Sequence, residues 1–287
     1  MIDTLFADVS EFQVPVDDSY PYRVLSIRVC DGTYHDHNFA ANYAWMRAAV
    51  DSGRMTFGIV YTYVRPNWLR NANTGRSTID AGGGLHPRVE LMLDVEAGGN
   101  PPGDGSSWIN GLYWNLADYA GDPARIIGYA NAYDFANMWR TRPAGLRVIA
   151  AGYGSNPNLP GQVAHQYTDG TGFSPNLPQG CPPFGTCDMN SADGLTPQDF
   201  AAACGISANG GWSMALTDDE QAELLSKVRD IWDQLRGPGG PGWPQLGQNG
   251  RGQDLTPVDA IAAIKRDLES PADLQASKRS LAQQGSS

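Results

Sequence analysis

At 287 residues the chain has room for one large domain with an appendage, or for two modest domains. Hydrophobic residues make up 41%, charged residues only 18%, and there are 34 glycines and 20 prolines, a composition that reads as a folded protein with much loop. The net charge of −11, with no Lys/Arg-rich run anywhere, argues against nucleic acid and against electrostatic adhesion to anionic membranes or wall polymers.

The first residues, "MIDTLFADVSEFQVPVDDS", carry neither a basic segment nor a long apolar run. No later run reaches the ~18 apolar residues of a membrane span, so the expectation is a protein with no membrane segment and no export signal of its own. Short strand-like apolar runs then recur along the chain: residues 5–10 ("LFADVS"), 24–29 ("VLSIRV"), 56–64 ("TFGIVYTYV"), 89–96 ("VELMLDVE"), 125–130 ("RIIGYA"), 146–153 ("LRVIAAGY"), 162–168 ("QVAHQYT") and 186–190 ("TCDMN"). Between the second and third, "HNFAANYAWMRAAVDSG" places Phe39, Tyr43, Met46, Ala49 and Val50 at helical spacing, and "SSWINGLYWNLADYAGD" follows the fourth in the same way.

Strands alternating with helices predict a parallel sheet, and eight strands in about 200 residues predict a TIM-like α/β barrel. From Ala144 to Asn190 the connections are too short or too rich in Gly and Pro for regular crossover helices, so the helical layer is expected to be incomplete there. Four cysteines, Cys30, Cys181, Cys187 and Cys204, are too few for a disulfide scaffold. Cys181 and Cys187 flank "PPFGT", a spacing that suits a small disulfide and two free thiols about equally.

The expected organisation is a barrel over 1–210, a helical region over 211–270 with a Gly/Pro-rich joint at "GPGGPGWP", and a disordered tail over 271–287. "LTDDEQAELLSKVRDIWDQLR" opens with a capping box, Thr217 to Glu220, and predicts a helix over 217–235. Its apolar stripe at spacings of three and four suits docking on the barrel or self-association with a second copy; two heptads favour docking. A second helix is expected from Thr256 as N-cap and Pro257 at its first position to about Leu268. Residues 211–287 carry 8 basic and 11 acidic groups, which excludes a polycationic wall anchor.

Chemistry concentrates in "ELMLDVEAGG", residues 90–99, where an apolar strand runs into Asp94 and Glu96. In a parallel barrel the strand C-termini form the functional face. Residues i and i+2 of a strand share a side, roughly 6 to 7 Å apart, so both carboxylates lean into one mouth. Asp8, Asp31 and Asp188 fall at equivalent places. Several acids in one cavity raise one another's pKa, which leaves a proton donor beside anions, the equipment of glycoside hydrolysis. Any one Asp at a strand end is more often a helix cap or a solvated group. Two acids with apolar flanks are costly to bury by accident.

Oxygen-rich clusters also suit divalent metals, but there is no repeated loop or D-x-D-x-D spacing. His35, His37, His86 and His165 form no H-E-x-x-H, and there is no G-x-S-x-G elbow. No metal or other cofactor is expected.

"ADVSEFQ", "VCDGTYHDHNFAANYAWMRAA", "GIVYTYVRP", "MLDVEAG", "AHQYTDG" and "CDMN" follow the order and spacing of the family-25 glycoside hydrolases. Over roughly residues 1–205 the chain therefore resembles these Chalaropsis-type lysozymes, which are common among phage endolysins. The resemblance implies an irregular barrel of five βα units followed by three strands with few helices. It also implies cleavage of the β-1,4 bond between N-acetylmuramic acid and N-acetylglucosamine in peptidoglycan glycan strands.

Carried over by motif, Glu96 is the general acid/base and Asp94 orients the substrate acetamido group as nucleophile; a direct or inverting carboxylate role is the other account. Asp8 and Asp188 complete the acidic floor. Tyr61, Asp31, Tyr63, Tyr129, Gln166 and Tyr167 are expected to bind substrate. The chain departs from the family pattern at Tyr61-Thr62-Tyr63 (for Tyr-His-Phe), His165-Gln166-Tyr167 (for Trp-Gln-Tyr) and Cys30-Asp31-Gly32 (for Thr-Glu-Gly). "WPQLGQNGRGQDLTPVDAIAAIKRDL" is similar to C-terminal segments of proteins from phages of mycobacteria and their relatives. The setting implied is a protein made in a host cytoplasm that acts at the cell wall, in phage release or virion entry. A non-catalytic glycan-binding barrel that uses the same acids for ligand contacts is the rival reading.

Overall fold

The computed structural model describes residues 3–172, 176–206, 218–237 and 240–268. The chain divides into two compact units, Met1–Gly211 and Trp212–Ser287.

In the first unit the chain order is β1 (Leu5–Val9), β2 (Val24–Asp31), a short return strand β3 (Tyr34–His35), α1 (Phe39–Asp51), β4 (Phe57–Tyr63), α2 (Trp68–Ala81), β5 (Val89–Asp94) and α3 (Ser106–Ala120). There follow β6 (Ile126–Asn131), α4 (Ala132–Asn137), β7 (Arg147–Ala151), β8 (Gln162–Thr168), the hairpin β9 (Gly180–Cys181) and β10 (Gly185–Thr186), β11 (Asp188–Ser191) and α5 (Pro197–Ala203). Strands β1, β2, β4, β5, β6, β7, β8 and β11 close into an eight-stranded barrel through a β1–β2 pairing. The eight runs expected as strands are these eight. Neighbours are parallel except at β11, which is antiparallel to both β8 and β1.

Helices follow β2, β4, β5 and β6, whereas β7 and β8 lead on without them. The first of the five expected βα units lacks its helix. Segment 10–23 contains Pro15 and Pro21 and an Asx turn in which Ser19 N donates to Asp17 Oδ1, chemistry that favours an irregular path. Tyr20 anchors that path: its buried hydroxyl donates to Val24 O and accepts from Ala7 N.

Strands buried on both faces read as continuous apolar runs, and their alternation sorts side chains into two layers. Leu25, Ile27, Val60, Leu91 and Leu93 face outward against α1 to α3; Val24, Phe57, Ile59, Met92, Ile127, Ile149 and Ala164 face the bore. Helix α5 closes the base, where the Phe200 ring lies 5.3 Å from Phe6 and 5.2 Å from Phe57, centre to centre. Burying that one ring stabilises the closure by about 2–3 kcal/mol. All four cysteines are buried free thiols.

In the second unit, α6 (Asp218–Arg236) precedes an antiparallel hairpin of β12 (Trp243–Gln248) and β13 (Asp254–Leu255), then α7 (Pro257–Leu268). The hairpin was not expected from the sequence. Its turn is closed by Asn249 N to Gln253 O and Gly252 N to Asn249 O. Thr256 caps α7 by accepting from Asp259 N, while Asp259 accepts from Thr256 N in return. Thr217, and with it the expected capping box of α6, and the 271–287 tail lie outside the described residues. No described helix is long and apolar enough to cross a membrane.

Candidate active site

Inward-facing positions turn polar toward the C-terminal end of the bore. Asp94 is the last residue of β5, flanked in register by Tyr63 of β4 and Tyr129 of β6. Asp8 on β1 pairs with Ser26 of β2 on one side and Asp188 of β11 on the other. Because β11 runs antiparallel, its first residue arrives at the end where the parallel strands finish, which brings Asp188 to the mouth.

Glu96 sits two residues beyond β5 on a loop held by its neighbours. Asp134 Oδ2 accepts from Ala97 N at 3.3 Å and from Asn131 Nδ2 at 2.8 Å. Asn100 Nδ2 donates to Glu96 O and Val64 O.

Electrostatics follow from this crowding. Burial, then the Asp188 charge, pushes the Asp8 carboxyl up to about 8 against hydrogen bonds from Ser26 and Tyr61. Asp188 is raised to about 7, by burial first and then by Asp169 and Glu96. Asp94 and Glu96 share a hydrogen bond and titrate as a pair. Burial is the leading cause of the upward shift of both; Glu96 and Asp8 add to it at Asp94, and Asp134 adds to it at Glu96. Asp94 lines the cavity beside Glu96, within a largely buried carboxyl cluster.

Around Glu96 the mouth opens into two lobes. One, of about 190 Å³, is lined by Asp8, Ser10, Phe12, Arg28, Tyr61, Tyr63, Asp94, Gln166 and Asp188 together with Glu96 and Tyr129. The other, about 270 Å³, is lined by Glu96, Tyr129, Asn131, Ala151, Gly152 and Tyr153. Glu96 and Tyr129 thus stand between two chambers. Gln166 Oε1 accepts from the hydroxyls of both Tyr129 and Tyr153 at 2.8 Å, tying the wall together.

The structure brings Asp8, Asp94, Glu96, Asp188, Tyr61, Tyr63, Tyr129 and Gln166 to this mouth. Tyr167, expected beside them, is not there. It is adjacent to inward-facing Gln166 on β8 and therefore points to the opposite face, packed in the outer layer with its hydroxyl on Pro178 O. Asp31 is also displaced from the expected role. Although a register shift in β2 between Arg28 and Cys30 sets it opposite Tyr63, it lines neither lobe, and Arg65 engages both its carboxylate oxygens at 2.5 and 2.8 Å. Arg65 in turn stacks 4.3 Å from the Tyr63 ring and donates to Gly98 O.

Sequence reasoning passed over Phe12, Ser26, Arg28, Asn131 and Asp134. The strand period was a usable signal for Arg28 and Ser26, which share the inward face of β2 with Val24; nothing local marked the other three.

Against solved structures, the fold is similar to that of a family 25 glycosyl hydrolase from Bacillus anthracis, with a TM-score of 0.54 and 16% identity over 69% of this chain and 92% of that one. It is likewise similar to the catalytic domain of endolysin ply40 from bacteriophage P40 of Listeria monocytogenes, with a TM-score of 0.53 and 18% identity over 72% and 98%. The CTP1L endolysin gives a TM-score of 0.54 and 15% identity over 70% and 69%. The first unit thus has the barrel fold of the family-25 hydrolases and endolysins. In sequence, the uncharacterized protein Rv3766 of Mycobacterium tuberculosis (strain ATCC 25618 / H37Rv) is 82% identical over 268 residues, 93% of this chain and 98% of that protein. A family model described as the Rv3766 C-terminal domain matches residues 216–274. The chain belongs to the Rv3766 family. That relative is bacterial, so it lends no support to the phage setting the sequence resemblance implied.

Proposed function

We propose that this chain is a peptidoglycan hydrolase that cleaves the β-1,4 bond between N-acetylmuramic acid and N-acetylglucosamine. The observation that carries the reading is the placing of Asp94 and Glu96, two carboxyl groups at the end of one strand, where two sugar-sized chambers meet; burial raises both above the ordinary carboxylate range. A scissile bond lying over Glu96 has a ring on either side.

Glu96, the more exposed partner, protonates the glycosidic oxygen as it leaves, and afterwards takes a proton from water. The Asp94 carboxyl, which lines the lobe beside Glu96, accepts the N–H of the substrate acetamido group and turns its carbonyl oxygen toward the anomeric carbon. Asp188, raised only to about 7, is the neighbouring carboxyl whose ionised form favours the developing oxocarbenium charge, with Asp8 beside it in the same lobe.

Two departures from the family pattern bear little on this chemistry, because both fall on the outer face of the barrel. Thr62 Oγ1 is bonded to Asn71 Nδ2 at 2.7 Å, and His165 is paired with Asp193 at 2.7 Å. The cell wall is the site of action under this reading.

Glu96→Gln is the test. New reducing ends released from purified peptidoglycan should fall by about 10²- to 10⁴-fold while the circular dichroism spectrum stays that of the parent. A variant as active as the parent overturns the reading. A parent that binds glycan and releases no reducing ends makes the barrel a binding protein.

A further inference from the structure

Phe12 is the most exposed large apolar side chain among the described residues, at 80%, and it stands on the rim of the lobe that holds Asp8, Asp94 and Asp188. A lone exposed aromatic on a mobile loop is unremarkable. This one is built in.

Within loop 10–13, Ser10 N donates to Gln13 Oε1 at 3.0 Å, Gln13 N to Ser10 O at 3.2 Å, and Phe12 N to Ser10 Oγ at 3.5 Å. From β2 and its return strand, Asp36 Oδ2 accepts from both Glu11 N and Arg28 Nε at 2.9 Å. Glu11 accepts from Arg28 Nη2 at 3.0 Å and from the Tyr34 hydroxyl at 2.8 Å. The Arg28 guanidinium ends 5.3 Å from the centre of the Phe12 ring, against which it stacks.

Arg28 is shared between two carboxylates, so the base of the loop carries no surplus positive charge to attract an anion. What the loop offers a ligand is the ring. The lining beside it is made of hydroxyl, carboxyl and amide groups from Ser10, Asp8, Tyr61 and Gln166. An apolar disc beside a hydrogen-bonding floor complements a pyranose, which has one face of C–H bonds and an edge of hydroxyls.

We propose that Phe12 is the stacking platform of a sugar subsite on the Asp8 side of Glu96, taking one N-acetylhexosamine ring of a glycan strand, with Arg28 as its positioning residue. The proposal rests on the reading of the acidic mouth as a glycan site.

Kinetics on soluble glycan strands from peptidoglycan test it. Because Phe12 is so exposed, Phe12→Ala should leave the thermal midpoint unchanged yet raise KM about tenfold, the scale of one aromatic contact. Phe12→Tyr should restore the parent KM. Arg28→Met should raise KM in a parent background and add little to Phe12→Ala, since it acts through the ring. An unchanged KM in Phe12→Ala overturns the platform while the hydrolase stands. Additive effects of the two substitutions overturn the role given to Arg28. A parent that neither binds glycan strands nor releases reducing ends overturns the hydrolase and the platform with it.

Discussion

Glu90 and Asp94 lie four residues apart on the same face of β5, and burial raises both carboxyls, yet they stand in opposite surroundings. Glu90 is 0% exposed in the base of the barrel, with neither carboxylate oxygen hydrogen-bonded, and burial lifts it to about 8 against the pull of Arg125 and Arg147. Those arginines are committed to main-chain carbonyls: Arg125 to His86 and Val89, Arg147 to Ala124 and Ala203. Asp94 is buried among other acids, bonded to Glu96, and opens on a cavity. A raised carboxyl is therefore no mark of a site by itself. Access and the sign of the neighbours make the difference.

The largest effect expected of this contrast is on rate. Asp94→Asn should lower the release of reducing ends by about a hundredfold or more, whereas Glu90→Gln should leave it unchanged, as measured on purified peptidoglycan at one pH. A loss of comparable size in Glu90→Gln would break the comparison.

Next in size is stability against pH. An unfolded glutamate ionises near 4.5, while folded Glu90 keeps its proton to about 8. Stability is thus full below the unfolded value and is lost as pH rises through that window, by roughly 4–5 kcal/mol for this group. Asp8, at about 8, and Asp188, at about 7, act in the same direction. Thermal midpoints should fall from pH 5 to pH 9. Glu90→Gln should gain about 5–10 °C over the parent at pH 9 and nothing at pH 5. Equal gains at both values would mean that Glu90 acts through packing.

The smallest expected effects sharpen the cavity end. Asp134 raises the Glu96 carboxyl and Arg65 lowers it. Asp134→Asn should move the alkaline limb of the pH–rate profile down, and Arg65→Met should move it up. Shifts in one common direction would show that both residues act on the loop alone, through the Ala97 and Gly98 contacts, rather than on the proton.

Much of the barrel is legible locally because its strands are apolar runs and α1 and α3 carry helical apolar spacing. Helix α2 escaped that reading. Its buried positions are Asn71, Ala72, Gly75 and Ile79, small or polar groups that leave no stripe to detect. Asn71 is buried because Thr62 Oγ1 and Gly32 O receive its amide, partners that lie outside its own helix. The β12–β13 hairpin was hidden in a Gly/Pro-rich run for the related reason that its pairing is made by main-chain groups.

At the site, the acids were legible because carboxylates at the ends of apolar strands are costly without a use. Tyr167 and Asp31 show where that logic stops. One residue of phase separates Tyr167 from the bore, and an ion pair with Arg65 occupies Asp31.

Eight strands, an incomplete helical layer and acids at the strand ends are readable from the chain alone, because hydrophobic periodicity and the cost of burying charge are properties of short segments. Which carboxyl is sealed in, which is held by an arginine and what stands on the rim emerge only from packing. Register and side-chain partners are set by contacts between residues as distant as Asp8 and Asp188, and no local pattern encodes them.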